Sequence, residues 1–301
     1  MDTNNLRTFI VAAEQASFSL AAERLYLTQP AVSKRIASME GELGTALFDR
    51  IGRRISLTEA GREFLPRARS ILREIEDSRR VISNLTGNIA GKLSIGTSHH
   101  IGLHRIPPVL RQFTQHYPEV DLDLQFMDSE AACRAVHTGA LELGIVTLPL
   151  EPLPDLESEL LWADPLAIVV GMDHPFATRS SGSSAKTGTQ ITIPELAQHP
   201  AILPSEVTYT RELLKRTFAP HGMRLQVAMT TNYLETIKMM VSIGLGWSVL
   251  PETMLSDDLV TLEVPELQFT RRLGVVHHHT RTLSNAARAM IKALRMTADT
   301  D

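Results

Sequence analysis

Two groups of side chains in this sequence have the type and spacing to do chemistry. The first follows Thr28. Gln29, Pro30, Ser33 and Lys34 fall on one side of a segment whose other side repeats Val32, Ile36, Met39 and Leu43 at the spacing of a helix face. A glutamine amide there can bond two major-groove positions of adenine, a lysine can donate to the acceptors of guanine, and a proline ring can meet the methyl group of thymine. The plainer alternative is that Gln29 and Ser33 decorate a solvent face. Arg35 projects nearer the apolar stripe, toward phosphate or a neighbouring helix. Further on, seven arginines between Arg50 and Arg73 are opposed only by Glu59 and Glu63. Guanidinium groups in such excess suit phosphate contacts, which supply affinity and register but little sequence information. Arg53 and Arg54, at the tip of a short hairpin pattern, are assigned to that role, whereas Arg67, Arg69 and Arg73 read equally well as a solvated helix face.

The second group lies where strand-like runs end or helices begin. Ser98, His99 and His100 follow one strand pattern, Asp128 a second, Thr147 a third and Asn232 another, while Thr208, Tyr209 and Thr210 precede a helical run. Ligands of α/β sheets bind beyond the carboxyl ends of strands, where helix N-termini present free N–H groups. Hydroxyl, amide and imidazole groups in that place suit a small carboxylate or another polar metabolite, here with no fixed arginine clamp. Ser98 and Thr147 could instead cap the following segments, and His99 and His100 could be loop histidines. His277, His278 and His279 look like a metal cluster, but neighbours on an extended chain point to opposite faces, so at most two converge and the run reads as a ragged strand end. The eleven histidines and eleven methionines offer no regular metal-ligand spacing, and no metal or cofactor is expected. Cys133 sits among Ala131, Ala132 and Ala135 and, with no second thiol, reads as a small buried apolar residue and not as a redox switch.

The elements that position these groups follow from periodicity. Leu6, Phe9, Ile10 and Ala13 form the inner face of a first helix that the break Ser17-Phe18-Ser19 ends; a short helix over 20–25 follows. A third helix starts at the N-cap Thr28 with Pro30 in its first turn and stops before Gly44. Leu47-Phe48 and residues 51–57 form a hairpin, a wing with Gly52-Arg53-Arg54 at its tip. Thr58 then caps a long helix to about Leu85, in which Phe64, Ala68, Ile71, Ile75, Ser78, Ile82 and Leu85 keep the heptad spacing of a two-helix seam. Pro66 conflicts locally with that helix. Beyond residue 88, strand runs at 93–97, 122–126, 143–147, 166–171, 201–203, 224–229, 247–250 and 273–276 alternate with helical runs at 105–117, 129–137, 210–218, 234–241 and 284–295, a pattern that implies a parallel, twisted α/β sheet in two lobes. Residues 178–190, rich in Ser, Gly and Thr, read as a loop.

A chain of 301 residues with net charge −4 has room for two or three cores and no bulk pull toward nucleic acid, so any such binding is local. Residues 1–85 carry 13 Lys and Arg against 11 Asp and Glu, so the acidic excess lies in the remainder. The N-terminus has no basic cluster before an apolar run, and no apolar stretch is long enough to span a bilayer; the expectation is a cytoplasmic protein without a membrane segment.

The run Ala21-Ala22-Glu23-Arg24-Leu25, then Leu27-Thr28-Gln29-Pro30-Ala31-Val32-Ser33, then Ile36, Glu40, Leu43-Gly44, Leu47-Phe48 and Arg50, resembles the helix-turn-helix signature of LysR-type transcriptional regulators. Leu57-Thr58-Glu59-Ala60-Gly61 is similar to that family's entry into its linker helix. Gly91 to Gly96, Gly244-Leu245-Gly246 and Leu250-Pro251 are similar to strands and turns of its sensing domain, so effectively the whole chain is covered. The resemblance implies an α+β multidomain chain: a winged helix-turn-helix over 1–58, a linker and dimerisation helix over 59–88, and a two-lobed effector domain over 89–301, similar to periplasmic solute-binding proteins. Lobe I takes about 89–162 and 268–301, lobe II about 163–267. It further implies a homo-oligomer, a dimer of dimers, on an interrupted inverted repeat of double-stranded DNA, with a small-molecule effector in the cleft between the lobes and RNA polymerase as a further partner. The rivals are an enzyme or a solute-binding protein on an α/β scaffold. The chain carries no Gly-rich phosphate loop, nucleophile elbow or metal-binding His/Glu helix, which argues against the first.

Overall fold

In a computed structural model, residues 2–51, 54–85, 87–178, 189–222 and 225–299 are described. The chain divides into two compact units, Met1–Thr86 and Gly87–Asp301.

The first unit opens with α1 (Thr3–Gln15), α2 (Phe18–Arg24) and α3 (Gln29–Leu43). Each begins at a side-chain cap, from Asp2, Ser17 and Thr28, that satisfies one of the otherwise unpaired first-turn N–H groups. The break expected at 17–19 is narrower than read: Ser17 alone is the cap, and Phe18 enters α2 because its ring belongs to the core. Gly44, at φ +68°, closes α3 in the left-handed conformation that glycine adopts without a Cβ penalty. Strands β1 (Phe48–Ile51) and β2 (Arg54–Leu57) pair antiparallel, and α4 (Glu59–Leu85) follows. Leu6, Phe9, Ala12, Val32, Ile36, Met39 and Phe48 form the core. The ring of Phe9 lies 5.4 Å from that of Phe48 and 5.3 Å from that of Phe64, in the tilted geometry that aromatic quadrupoles prefer.

The heptad seam read along α4 divides in two. Ala68 is buried and Phe64 half-buried against the core of the same chain. Ile71, Ile82 and Leu85 stay 36%, 66% and 79% exposed. The amino-terminal half of the stripe therefore serves intramolecular packing on α1, which Arg69–Glu14 and Arg7–Glu76 ion pairs at 3.0 and 3.1 Å flank. Pro66 lies inside the helix, as expected.

The second unit holds β3 (Gly91–Thr97), α5 (His99–His104), α6 (Pro107–His116), β4 (Val120–Phe126), α7 (Ser129–His137), β5 (Leu143–Thr147), β6 (Leu156–Gly171), α8 (Pro175–Thr178), β7 (Thr189–Gln190), α9 (Ile193–Ala197), β8 (Ala201–Leu203), α10 (Tyr209–Phe218), β9 (Val227–Thr230), α11 (Leu234–Ser242), β10 (Ser248–Pro251), β11 (Leu259–Glu263), β12 (Phe269–His278) and α12 (Asn285–Arg295). The helix expected over 105–117 is α6, whose first turn is set by the paired prolines Pro107 and Pro108; the short α5 before it was not expected.

The sheet is mixed, not parallel throughout. Strands β3, β4 and β5 run parallel, whereas β12 pairs antiparallel with β5 and β6, and β10 and β11 pair antiparallel with β6. The cause is connectivity. Strand β6, sixteen residues long where a six-residue strand was read, carries the chain from one core to another, and β12 brings it back alongside, in the opposite direction. Leu161 and Trp162 pack into a first core with Leu93, Ile95, Phe113 and Met290. Leu166 and Ile168 pack into a second with Phe176, Leu196, Trp247 and Phe269. The changeover falls at Asp164 and Pro165. These two cores define the lobes. Helix α7 covers the other face of the first lobe's sheet through Ala132, Cys133 and Val136.

Candidate functional site

In the first unit, α3 presents Gln29, Pro30 and Lys34 exposed and Ser33 half-buried. Thr28 accepts from the Ala31 N–H, so the helix starts with these side chains already in place. Gln29 Nε2 donates to Ser33 Oγ at 2.9 Å, which joins amide and hydroxyl into one polar pair on the outer turn. Arg35 turns the other way: its Nη1 donates to Thr8 Oγ1 of α1 at 3.2 Å, a contact with a neighbouring helix. Arg53 and the side chain of Arg54 lie outside the described residues; the Arg54 backbone pairs with Ile51 in the hairpin.

The hairpin is fixed to α3 by Glu40, and to α4 by Thr58, the residue expected to cap that helix. Glu40 accepts from the backbone N–H of Leu47 and Phe48 at 2.8 and 3.2 Å. Thr58 donates to the Ala46 carbonyl at 2.8 Å and accepts from Gly61 N–H at 3.0 Å. Gly61 has to be glycine because a Cβ there would run into the Leu47 carbonyl oxygen.

In the second unit, Ser98, His99, His100, Asp128, Thr147, Thr208, Thr210 and Asn232 line one cavity of about 50 Å³. Tyr209 does not join them. Its ring lines a separate, mostly apolar pocket of about 490 Å³ with Cys133, Leu153 and Leu156. Burial there raises the Tyr209 hydroxyl pKa and pushes the Cys133 thiol up to about 11, which keeps both neutral.

The cavity also contains Ser129, Glu130 and Arg271, none of which the sequence reading selected. Arg271 overturns the expectation of a cleft without a fixed arginine. It is 6% exposed, and its Nε donates to Asp164 Oδ2 at 3.0 Å, with a second bond from Nη2 to the same oxygen. Arg105 Nη2 donates to the other oxygen of Asp164 at 3.2 Å. Asp164 is fully buried, so the carboxylate is neutralised where it stands and Arg271 is held in one orientation at the cavity wall. Arg271 lies on β12, far from the strand-end positions in sequence, and only the long pairing of β12 with β6 brings it there.

Several polar groups are committed across the cleft. Asn232 Nδ2 donates to Asp128 Oδ2 at 2.9 Å, and its Oδ1 accepts from the Ser205 N–H. Glu130 accepts from the Tyr209 N–H at 2.5 Å, and burial raises its pKa. Thr208 accepts from Arg211 N–H and donates to the Ser205 carbonyl, so its hydroxyl is a helix cap and not a spare ligand group. Ser98 caps α5 by accepting from Ile101 N–H at 3.4 Å, which leaves its own proton to give. The Thr147 backbone N–H donates to Ser129 Oγ at 3.0 Å, and Thr147 lines the cavity.

The two histidines differ. His99 stacks on Phe126 at 5.3 Å and meets Tyr233 edge-on at 4.8 Å. His100 is 4% exposed and neither ring nitrogen has a hydrogen-bond partner. Burial, with a smaller contribution from Arg271, drives its pKa down to about 4, so the ring is neutral at neutral pH. His104 lies one turn further along α5, its Nε2 3.1 Å from Glu235 Oε1, a spacing that the sequence reading did not register. Of the three consecutive histidines, His277 turns to Glu157 at 3.8 Å, while the rings of His278 and His279 stack.

The family described as "Bacterial regulatory helix-turn-helix protein, lysR family" matches residues 3–62, and "LysR substrate binding domain" matches residues 86–299. The RuBisCO operon transcriptional regulator of Allochromatium vinosum is 29% identical over 289 residues, 94% of this chain and 92% of that one. A full-length OxyR variant from Pseudomonas aeruginosa superposes with a TM-score of 0.70 at 22% identity, over 99% of this chain and 96% of that one. The effector-binding domain of QuiR in complex with shikimate superposes with a TM-score of 0.60 at 18% identity, over 69% of this chain and 97% of that one.

Proposed function

The chain belongs to the LysR family of bacterial transcriptional regulators, a DNA-binding unit joined to a small-molecule effector domain, and from that premise we propose how its own residues divide the work. Relatives of this kind are regulators and not enzymes. The effector is a small carboxylate that enters between the lobes. Its anionic group meets Arg271 Nη1, the guanidinium nitrogen not committed to Asp164, and takes further hydrogen bonds from the Ser98 and Thr147 hydroxyls. The observation that carries this reading is the buried, pre-oriented guanidinium beside those hydroxyls. Shikimate, the ligand in the QuiR domain, is itself a small hydroxylated carboxylate. Asp128 and Asn232, tied to each other, hold the two lobes at the rim, and Thr208, Tyr209 and Thr210 support that rim.

In the DNA-binding unit, Gln29, Pro30, Ser33 and Lys34 read base edges in the major groove, while Thr28 positions their helix. Arg53 and Arg54 contact phosphate. Arg35 acts as a strut to α1 that sets the tilt of α3. The exposed Ile71, Ile82 and Leu85 of α4 pair two chains, and a dimer of dimers spans an interrupted inverted repeat in the cytoplasm, within reach of RNA polymerase. Among the described residues no helix is long and apolar enough to cross a membrane.

The test is calorimetric titration of a panel of small carboxylates against the full-length chain and against Ser98→Ala, Thr147→Val and Arg271→Lys. The lysine keeps a charge beside Asp164 and loses the planar fork. An effector that shifts the gel mobility of promoter DNA is expected to bind all three variants more weakly. If such an effector binds all three with wild-type affinity, the cleft assignment is wrong while the regulator assignment stands.

A further inference from the structure

We propose that His100, His104 and Glu235 form a divalent transition-metal site that joins the two lobes at the edge of the cleft. His100 and His104 stand four residues apart on α5, one above the other on a single helical face, and Glu235 reaches them from the first turn of α11 in the second lobe. One ligand atom from each lies within 4.8 Å of the other two. His104 Nε2 and Glu235 Oε1 are already 3.1 Å apart. Two ligands on a tetrahedral zinc at bond lengths of about 2.0–2.1 Å are separated by about 3.3 Å, so small rotations of the two outer side chains complete the set.

An independent observation points to a ligand here. His100 is almost fully buried with both ring nitrogens unpartnered, and a buried polar group in that state is rare in folded proteins unless something else satisfies it. The core residue Ile101 anchors α5 beside it, so the ring cannot swing out to water without unpacking the helix. The neutral imidazole carries the lone pair a metal needs. Two imidazoles and one carboxylate suit Zn²⁺ and its late first-row neighbours over Mg²⁺ or Ca²⁺. Arg271, the cation acting most strongly on His100, is balanced by Asp164, and Glu235 compensates part of the charge of the ion.

A second cluster, His137, Asp155 and His278, meets the same distance criterion but is weaker. His278 Nδ1 already accepts from the Thr280 N–H at 3.3 Å. It serves as the control.

The site shares His100 with the cavity, but the test does not depend on the carboxylate assignment, since Glu235 and His104, the residues varied, take no part in it. The experiment is titration of Zn²⁺ alone into the metal-stripped full-length protein, with Co²⁺ absorption as a second readout. The variants are His104→Ala and Glu235→Gln, whose wild-type side chains are 37% and 41% exposed, and His278→Ala. Their fold is checked by an unchanged unfolding midpoint in chelator. The expected result is one tight ion per chain and a tetrahedral Co²⁺ spectrum. Zn²⁺ affinity should fall at least about tenfold in each of the first two variants and stay unchanged in His278→Ala. Absence of tight binding, binding unaffected by His104→Ala and Glu235→Gln, or loss confined to His278→Ala would each overturn the proposal.

Discussion

Replacing Arg271 by methionine removes the guanidinium from the cleft wall and strips Asp164 of both bonds it receives from that residue. The carboxylate, fully buried, keeps Arg105 at 3.2 Å. A hydrogen bond to a charged group contributes about 1.5–3 kcal/mol, so two lost bonds amount to about 3–6 kcal/mol. Removing one partner of a buried ion pair costs about 3–5 kcal/mol by the same logic, because the remaining charge has lost its compensation. The surviving Arg105 contact places the expected loss near the lower end, about 3 kcal/mol. For a unit the size of Gly87–Asp301, each kcal/mol lowers the midpoint by about 2–4 °C, so the effector unit should melt about 6–12 °C earlier. Scanning calorimetry on the full chain should show this in one transition and leave that of the DNA-binding unit in place. Asp164→Leu combined with Arg271→Met removes the orphaned carboxylate but takes from Arg105 its bond to Asp164, and should recover part of the loss. A shift below about 2 °C in the single variant, or a double variant worse than both singles together, would refute the idea that Asp164 holds Arg271 through a buried ion pair.

The remaining predictions concern charge, reading and pairing. His100 is depressed in the folded state to about 4 from 6.5, so its contribution is fully present above pH 6.5 and is lost as pH falls toward 4, where the unfolded chain alone takes up the proton; the loss is at most about 3 kcal/mol, measured in chelator by urea unfolding, and His100→Leu should flatten the profile across that window. Gln29→Ala breaks the bond to Ser33 and removes the amide, and should cost about 1–3 kcal/mol of discrimination between operator variants in quantitative gel shifts; unchanged preference would exclude base reading by this pair. Ile82→Asp places a charge on an exposed apolar position of α4 and should shift sedimentation toward monomer while leaving the unfolding midpoint of the isolated chain near wild type; a wild-type oligomer would move the interface elsewhere.

Legibility in the sequence followed the range of the interactions concerned. Caps and breaks are local, so Thr28 and Gly44 could be assigned to the ends of α3 from residue type alone, and eight of the strand-end and helix-start residues could be placed beside one another because α/β sheets gather such ends on one side. The misses are non-local. Leu156 to Leu161 run Leu-Glu-Ser-Glu-Leu-Leu, without the alternation that marks a strand, although they are the first part of β6; what makes them a strand is the partner β12, more than a hundred residues away. The same pairing delivers Arg271 to Asp164, so this fixed cation of the cleft had no signal in its own neighbourhood. Phe64 and Ala68 obeyed a heptad that a second chain would satisfy, but α1 of the same chain claimed them first. The four-residue spacing of His100 and His104 passes unremarked in the sequence, and only Glu235, reached through the fold, turns it into a constellation.

The cleft as it stands accommodates a few waters and not a metabolite, since its volume is about 50 Å³. A carboxylate large enough to act as a signal therefore requires the lobes or their rim to move. The links that resist are polar: Asn232 to Asp128, the Tyr209 N–H to Glu130, and His104 to Glu235, at 2.9, 2.5 and 3.1 Å. At about 0.5–1.5 kcal/mol each, the three together resist opening by about 1.5–4.5 kcal/mol. Shifting a two-state equilibrium from one arrangement to the other needs a differential affinity of about 5.5 kcal/mol. The two figures are of the same order, so a single effector bound to Arg271 has the leverage to decide the arrangement. An ion on His104 and Glu235 would oppose any effector that must separate α5 from α11 and favour any that leaves them together. Reciprocity then requires that such an effector weaken or strengthen metal binding by the same factor, which makes the order of addition irrelevant at equilibrium and the coupling measurable from either side.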